Sequence, residues 1–256
     1  WEPLTLNGSG IKNGGALISA ATSGNNFGVV TYGSSARVVN NASGTITFVG
    51  APTGTFNYVF GGTGPITITG VMPAVAITIT KYDSGILLLN GAHLSTGLIR
   101  INGGTVRYGV ANAILVNAVT IAGGTLDING QTDAVGAIIL MSGTITNGGA
   151  AATLTGTAYT FYGGAITAVL AGTAIAMAKN TGATLTINQA LTNTGTLTIN
   201  AGTVQYLASN VVANTAAVIV AGGTLDIGAQ TDTVAAVTLT SGAITGSTGI
   251  LTGTSY

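Results

Sequence analysis

Part of this chain is written twice. Residues 81–159 return about 98 positions later as residues 179–256, with whole strings retained. Val119-Thr-Ile-Ala-Gly-Gly-Thr-Leu-Asp-Ile128 comes back as Val218-Ile-Val-Ala-Gly-Gly-Thr-Leu-Asp-Ile227, Gln131-Thr-Asp133 as Gln230-Thr-Asp232, and Leu154-Thr-Gly-Thr-Ala-Tyr159 as Leu251-Thr-Gly-Thr-Ser-Tyr256. A chain assembled by copying one unit points to a stack in which each unit packs on its neighbours, so its length and surface are its main products.

Shorter spacings refine this. Segments such as Thr45-Ile-Thr-Phe48, Pro65-Ile-Thr-Ile-Thr69, Val75-Ala-Ile-Thr-Ile-Thr80, Gly85-Ile-Leu-Leu-Leu89, Leu98-Ile-Arg-Ile101, Thr184-Leu-Thr-Ile187 and Thr196-Leu-Thr-Ile199 mostly alternate an aliphatic residue with Thr, and Gly, Asn or Ser stands at their boundaries. That alternation predicts short strands with one buried face. In the second copy comparable segments recur about every 20 residues, for instance from residues 203–206 to 224–227. A turn of about 20 residues holding two or three short strands is one rung of a parallel β-solenoid, here expected to be right-handed. At roughly 4.8 Å per rung, about twelve rungs would span close to 60 Å. An antiparallel sandwich or barrel is the competing architecture. It is disfavoured because clean two-residue hairpin signals are scarce, although Asn129-Gly130 and Asn147-Gly148 occur. The expected organisation is one continuous solenoid over 1–256, with less regular rungs in 1–77, where all four prolines lie, a first unit in 78–159 and a second in 160–256.

Composition narrows the function classes. Six basic and six acidic residues give a chain of 256 residues no net charge, and with it no electrostatic footprint for nucleic acid or an anionic membrane. A surface of Thr, Ser and Asn carries little colloidal repulsion, so association is expected. Without cysteine there are no disulfides, thiolate metal sites or cysteine nucleophile. Thr, Asn or Gly interrupts every apolar run before the roughly 18 residues of a membrane-spanning helix. The opening Trp1-Glu2-Pro3, lacking Met and a basic-then-apolar leader, reads as a chain processed or cut from something longer.

Lys81-Tyr-Asp-Ser-Gly-Ile-Leu-Leu-Leu-Asn-Gly91 followed by Ile101-Asn-Gly-Gly-Thr-Val106, and Lys179-Asn-Thr-Gly-Ala-Thr-Leu-Thr-Ile-Asn188 followed by Ile199-Asn-Ala-Gly-Thr-Val204, resemble the autotransporter-associated β-strand repeat. Residues 161–174 and the N-terminal Pro3-Leu-Thr-Leu-Asn-Gly-Ser-Gly10 are similar to the same class. The resemblance implies a large bacterial surface or secreted β-helix, as an autotransporter passenger, adhesin or extracellular fibre. It says little about activity, and no translocator barrel is present in the chain.

The candidate chemical groups are few. Asp127 with Asp133, and Asp226 with Asp232, would need to converge in a groove to act as an acid/base pair or to bind calcium. Their bland reading is that Asp127 and Asp226 end strands, while Asp133 and Asp232 cap Gln-Thr-Asp turns through bonds to the backbone. Asp83 is the other acidic candidate. The Gly-Gly-Thr-Leu-Asp string lacks the middle glycine and the nine-residue period of calcium-binding nonapeptides. His93, the only histidine, is expected in a solvated turn after Asn90-Gly-Ala. Lys81, Arg100, Arg107 and Tyr108 are a candidate ligand patch, and Tyr108, Tyr159, Tyr206 and Tyr256 are expected to stack at turns or seams. Thr-x-Thr strands raise ice binding, but Thr45/Thr47, Thr67/Thr69 and Thr78/Thr80 are separated by 22 and then 11 positions, which argues against a regular face. No catalytic, cofactor-binding or metal-ligating residue is therefore assigned.

Tyr256 aligns with Tyr159, which more repeat follows, and the chain begins almost at once with a strand-like segment. The leading expectation is a non-enzymatic extracellular protein whose solenoid subunits join head to tail, with the cell surface or extracellular matrix as further partners. The alternative is a segment of a large passenger or adhesin. A carbohydrate-active β-helix enzyme and an ice-binding solenoid rank below both.

Overall fold

A computed structural model describes residues 3–149 and 151–256. Among these residues there is no α-helix, only one short 3-10 turn at Ile11–Asn13, and every strand pairing is parallel. Ile46, Ile66, Leu87, Val106 and Leu126 follow one another in register at intervals of 19 to 21 residues. The chain is a parallel β-solenoid of about 12 turns.

Two strand ladders run unbroken through the stack. One begins at Asn25–Phe27 and the other at Leu17–Ser19, and both continue to the long strand Thr231–Thr245. Strands in the predicted segments show the expected alternation, with aliphatic residues inward and Thr outward: Ile46 and Phe48 are buried while Thr47 between them is partly exposed. Stacking like on like forms inner columns such as Val38, Phe60, Lys81, Ile101, Ile121, Leu140, Phe161, Lys179, Ile199 and Val220. Each fully buried aliphatic member stabilises the fold by about 1.5–3 kcal/mol.

A third side is less continuous. It holds the pairs Leu4 with Val30 and Leu6 with Tyr32, single bridges joining Met72, His93 and Ile114, and the short strands Asp133–Ala134, Thr153–Thr155 and Val169–Ala171. Nearly all of the predicted segments hold an observed strand. Residues 75–80 are the exception, because the strand there starts only at Ile79. The Thr spacing of 22 and 11 now has a cause. Thr47 and Thr67 lie in register on one ladder, whereas Thr80 pairs with Arg100 on the other. Each Thr row is also broken, the first by Leu88, Arg107 and Asp127.

The corners explain the glycine content at a few positions. Gly104 and its counterpart Gly202 hold φ of +59° and +68°. A Cβ at Gly104 would strike the carbonyl oxygens of Asp83 and Gly85, and one at Gly202 those of Thr181 and Ala183. Close stacking of turn on turn at this corner therefore requires a residue without a side chain.

The structure also exposes a third occurrence of one rung. Thr53-Gly-Thr-Phe-Asn-Tyr58 precedes Phe60, as Thr155-Gly-Thr-Ala-Tyr159 precedes Phe161, and Thr252-Gly-Thr-Ser-Tyr256 repeats the pattern. Phe60 pairs with Lys81, and Phe161 pairs with Lys179. The copied texture thus begins before residue 78, inside the region that looked less regular.

Candidate functional site

The four repeated aspartates fall into two structural classes. Asp127 and Asp226 close the strands Val119–Asp127 and Val218–Asp226, as expected. Asp127 Oδ1 accepts from the Asn129 N–H at 2.9 Å, and Asp226 Oδ1 accepts from the Gly228 N–H at 3.0 Å. Their outer oxygens accept from Arg107 Nε at 2.7 Å and Gln205 Nε2 at 3.2 Å.

Asp133 and Asp232 are buried, as is Asp127, but lie on the third side of the solenoid. Their capping reaches across the stack. Asp133 Oδ2 accepts from the Ile114 N–H at 2.9 Å and Asp232 Oδ2 from the Val212 N–H at 3.1 Å, 19 and 20 residues back along the chain. The Tyr108 and Tyr206 hydroxyls approach these carboxyls without reaching hydrogen-bond geometry. Burial pushes both carboxyls up to about 6, opposed by the backbone N–H donors, because removal from water penalises the charged form. Asp127 and Asp133 consequently stand on different sides of the solenoid and form no carboxylate pair.

The proposed patch of Lys81, Arg100, Arg107 and Tyr108 does not form. Lys81 and Tyr108 are buried in the core, while Arg100 is exposed and Arg107 pairs with Asp127. The long Lys81 stem occupies an inner column below Phe60, and its Nζ donates to the carbonyls of Tyr82 and, at 3.0 Å, Asp83. Lys179 repeats this beneath Phe161, donating to Thr181 and, at 3.1 Å, Ala201. Burial lowers the Lys81 ammonium to about 8, partly offset by Asp83, and lowers Lys179 as well. These lysines tie turn carbonyls together from within.

His93 also departs from expectation. It is fully buried, bridging Met72 and Ile114, with neither ring nitrogen hydrogen-bonded. Burial lowers its pKa to about 4. The Asn90-Gly-Ala stretch does make a corner, but the third side begins at the next residue and turns His93 inward. Its counterpart is Leu191, likewise buried, which identifies the position as an apolar one.

Of the tyrosines, Tyr108, Tyr159 and Tyr206 lie in the core. Tyr159 ties a turn together: its hydroxyl accepts from the Gly156 N–H at 2.8 Å and lies 3.0 Å from the Leu154 carbonyl and 2.6 Å from that of Ala171. Tyr256 makes the first two contacts again, at 2.9 and 3.0 Å, with Gly253 and Leu251, yet is 81% exposed.

One surface cleft breaks the repeat. A cavity of about 640 Å³ lies beside the outward face of the rung carrying Arg37, with Ser9, Asn13, Ser35, Tyr82 and Asp83 on its walls. Arg37 Nη2 meets Asp83 Oδ2 at 2.6 Å, Nη1 donates to the Asn13 carbonyl at 2.8 Å, and the guanidinium carbon lies 5.9 Å from the centre of the Tyr82 ring. Asp83 Oδ2 also accepts from the Gly62 N–H at 2.7 Å. That backbone donor, with Arg37 and Lys81, holds the carboxyl below its ordinary pKa against the effect of burial. Sequence reasoning weighed Asp83 alone. Arg37, 46 positions away, gave no local signal.

Among the described residues, no group of three or more His, Asp or Glu side chains is disposed to hold a metal ion, and no helix is long and apolar enough to cross a membrane. The fold and these contacts define a repeat protein of the parallel β-solenoid class, with an interior tied by paired lysines and buried Asp–Tyr neighbours. Comparison with protein-family models, curated proteins and solved structures finds no match.

Proposed function

We propose that this protein is a non-enzymatic structural element of the bacterial exterior, a solenoid rod whose turns seat end to end on those of a second copy to extend a fibre or surface layer. The observation that carries the reading is that successive turns seat on one another as in-register parallel strands, so that a turn of a second copy can offer the same surface as a neighbouring turn of this chain. Tyr159 shows such a seat filled: it is 1% exposed and its hydroxyl reaches the Ala171 carbonyl of the next turn. A strand edge that already holds its side chains in stacked geometry favours addition of another parallel strand. Scarcity of charge removes the usual repulsion between copies, and the resemblance to autotransporter-associated repeats favours an extracellular setting.

The second reading is a segment of a longer passenger or adhesin in which the seat receives a turn of the same chain. It rests on that same resemblance. Sedimentation velocity and negative-stain electron microscopy of residues 1–256 at neutral pH separate the two. Filaments that lengthen with concentration are expected. Dispersed monomers at every concentration would overturn self-assembly and leave the passenger reading.

A further inference from the structure

The cleft at Arg37 is where the molecule departs from its own repeat. Tyr82 and Asp83 follow the buried Lys81, whereas Asn180 and Thr181 follow the equivalent Lys179. The residue after the Tyr-x-Phe rung is Gly61 in one case and Tyr162 in the other. Any Cβ at Gly61 would collide with both Asp83 Oδ2 and the Arg37 guanidinium, so the ion pair lies directly on bare backbone. Three differences from the later copy, at Gly61, Tyr82 and Asp83, thus meet Arg37 beside one cavity whose volume falls within the range of small-ligand sites.

The chemistry of the walls selects the ligand. Arg37 is the one cationic side chain on the cavity wall, and it already faces a carboxylate at 2.6 Å, so an anion would find no net attraction there. A cation would meet a carboxylate already satisfied by Arg37 and the Gly62 N–H. What is left open is polar with no net charge, since the buried, unpartnered Arg37 Nε and the free Asp83 Oδ1 belong to one ion pair. Among the described residues, the hydroxyls of Ser9 and Ser35, the side-chain amide of Asn13 and Asp83 Oδ1 make no hydrogen bond within the chain. Beside them stands the Tyr82 ring, 41% exposed. A flat aromatic surface flanked by fixed donors and acceptors matches a pyranose ring, which offers an apolar C–H face and a rim of hydroxyls.

We infer that this cleft binds a neutral saccharide, packed on Tyr82 and hydrogen-bonded to Asp83, Asn13 and the two serines. The pairing of Arg37 with Asp83 serves as a positioning device, fixing Oδ2 so that Oδ1 points a defined acceptor at a sugar hydroxyl. This binding is independent of whether the chain assembles.

Saturation-transfer NMR and calorimetry on residues 1–256 test it, using cellotriose, maltotriose and tri-N-acetylchitotriose as neutral probes and trigalacturonate as the acidic one. At least one neutral trisaccharide is expected to bind with millimolar or better affinity. Tyr82→Asn, which installs the residue of the later copy, is expected to weaken binding at least tenfold with the thermal midpoint retained. Tyr82→Phe keeps the ring and should bind as the parent does, and Asp83→Asn should weaken binding severalfold. The inference is overturned if no neutral probe binds, if trigalacturonate binds more tightly than all of them, or if Tyr82→Asn leaves affinity unchanged. Should Tyr82→Asn lower the midpoint, the Phe variant decides: loss of binding with the ring present would also overturn it.

Discussion

Set side by side, residues 81–159 and 179–256 show what this fold holds constant and what it releases. Lys81 and Lys179, Tyr108 and Tyr206, Asp133 and Asp232, and Gly104 and Gly202 are identical between copies, and each either fills the interior or permits close backbone approach. Outward positions drift: Arg100 becomes Thr198, Arg107 becomes Gln205, and Tyr82-Asp83 becomes Asn180-Thr181. The polar side chains kept by copying are therefore mainly those that satisfy backbone groups of neighbouring turns, an interior task that tolerates little change. Specific recognition can arise where the copies differ.

The harshest challenge to this comparison is at a closed corner against an open one. Gly104→Val and Gly202→Val force a β-branched residue into left-handed backbone and into carbonyl oxygens of the adjacent turn. Each is expected to cost about 3 kcal/mol or more or to abolish soluble expression. Gly228 also has positive φ, at +54°, but faces open space, and its counterpart Asn129 holds +47°. Gly228→Asn should therefore cost less than about 1 kcal/mol. Urea unfolding of the three variants checks this, and equal losses at Gly202 and Gly228 would refute the role given to close turn stacking.

His93 against Leu191 offers a smaller and pH-dependent effect. In the unfolded chain the imidazole takes up its proton near pH 6.5; in the folded chain burial delays this to about 4. The stability associated with a neutral His93 is complete above pH 6.5 and is lost as pH falls toward 4, by an amount on the order of 3 kcal/mol. Asp133 and Asp232 act in the opposite sense. Their folded pKa of about 6 lies above the ordinary carboxylate value, so the folded chain binds those protons first and gains stability over the same descent. His93→Leu should match or exceed the parent at pH 7.5, and its advantage should widen on going to pH 4.5. Unfolding curves at the two values decide the matter: a constant gap would mean that His93 is not held neutral.

How much of this was readable beforehand depended on which interactions run along the chain and which run across it. The parallel solenoid, its turn of about 20 residues and the strands in the alternating segments follow from alternation and period, both local properties. The fate of His93 did not, since the third side contributes single bridges at Met72, His93 and Ile114 with no alternating pattern around them. The sequence groups Lys81 with Arg100, Arg107 and Tyr108 as a candidate ligand patch; its Nζ partners, the Tyr82 and Asp83 carbonyls, are next to it in sequence, and only the stacking of turns reveals that Phe60 and Ile101 enclose its stem. Asp133 was assigned a capping role correctly in kind, but its acceptor geometry points to Ile114 in the turn below. The cleft was the least visible feature. It joins Arg37 to Asp83 across 46 positions, with one partner outside the recognised repeat.

The mildest test concerns the drifting surface. Arg107 donates to Asp127 at 2.7 Å with its own side chain 41% exposed, whereas Gln205 holds the corresponding Asp226 at 3.2 Å without a charge. Because water and salt screen the partly exposed guanidinium, although Asp127 itself is 4% exposed, the ionic contribution should be about 1 kcal/mol or less. Arg107→Gln, which writes the second copy's residue into the first, should shift the thermal midpoint by only about 2 °C, and that shift should shrink further in 1 M NaCl. The Asp127 bond to the Asn129 N–H explains why so little is lost: the carboxylate keeps its turn-capping partner when the arginine is gone. A much larger loss would place Arg107 among the copied structural residues, and the division between constant interior and free exterior would then have to be redrawn at this rung.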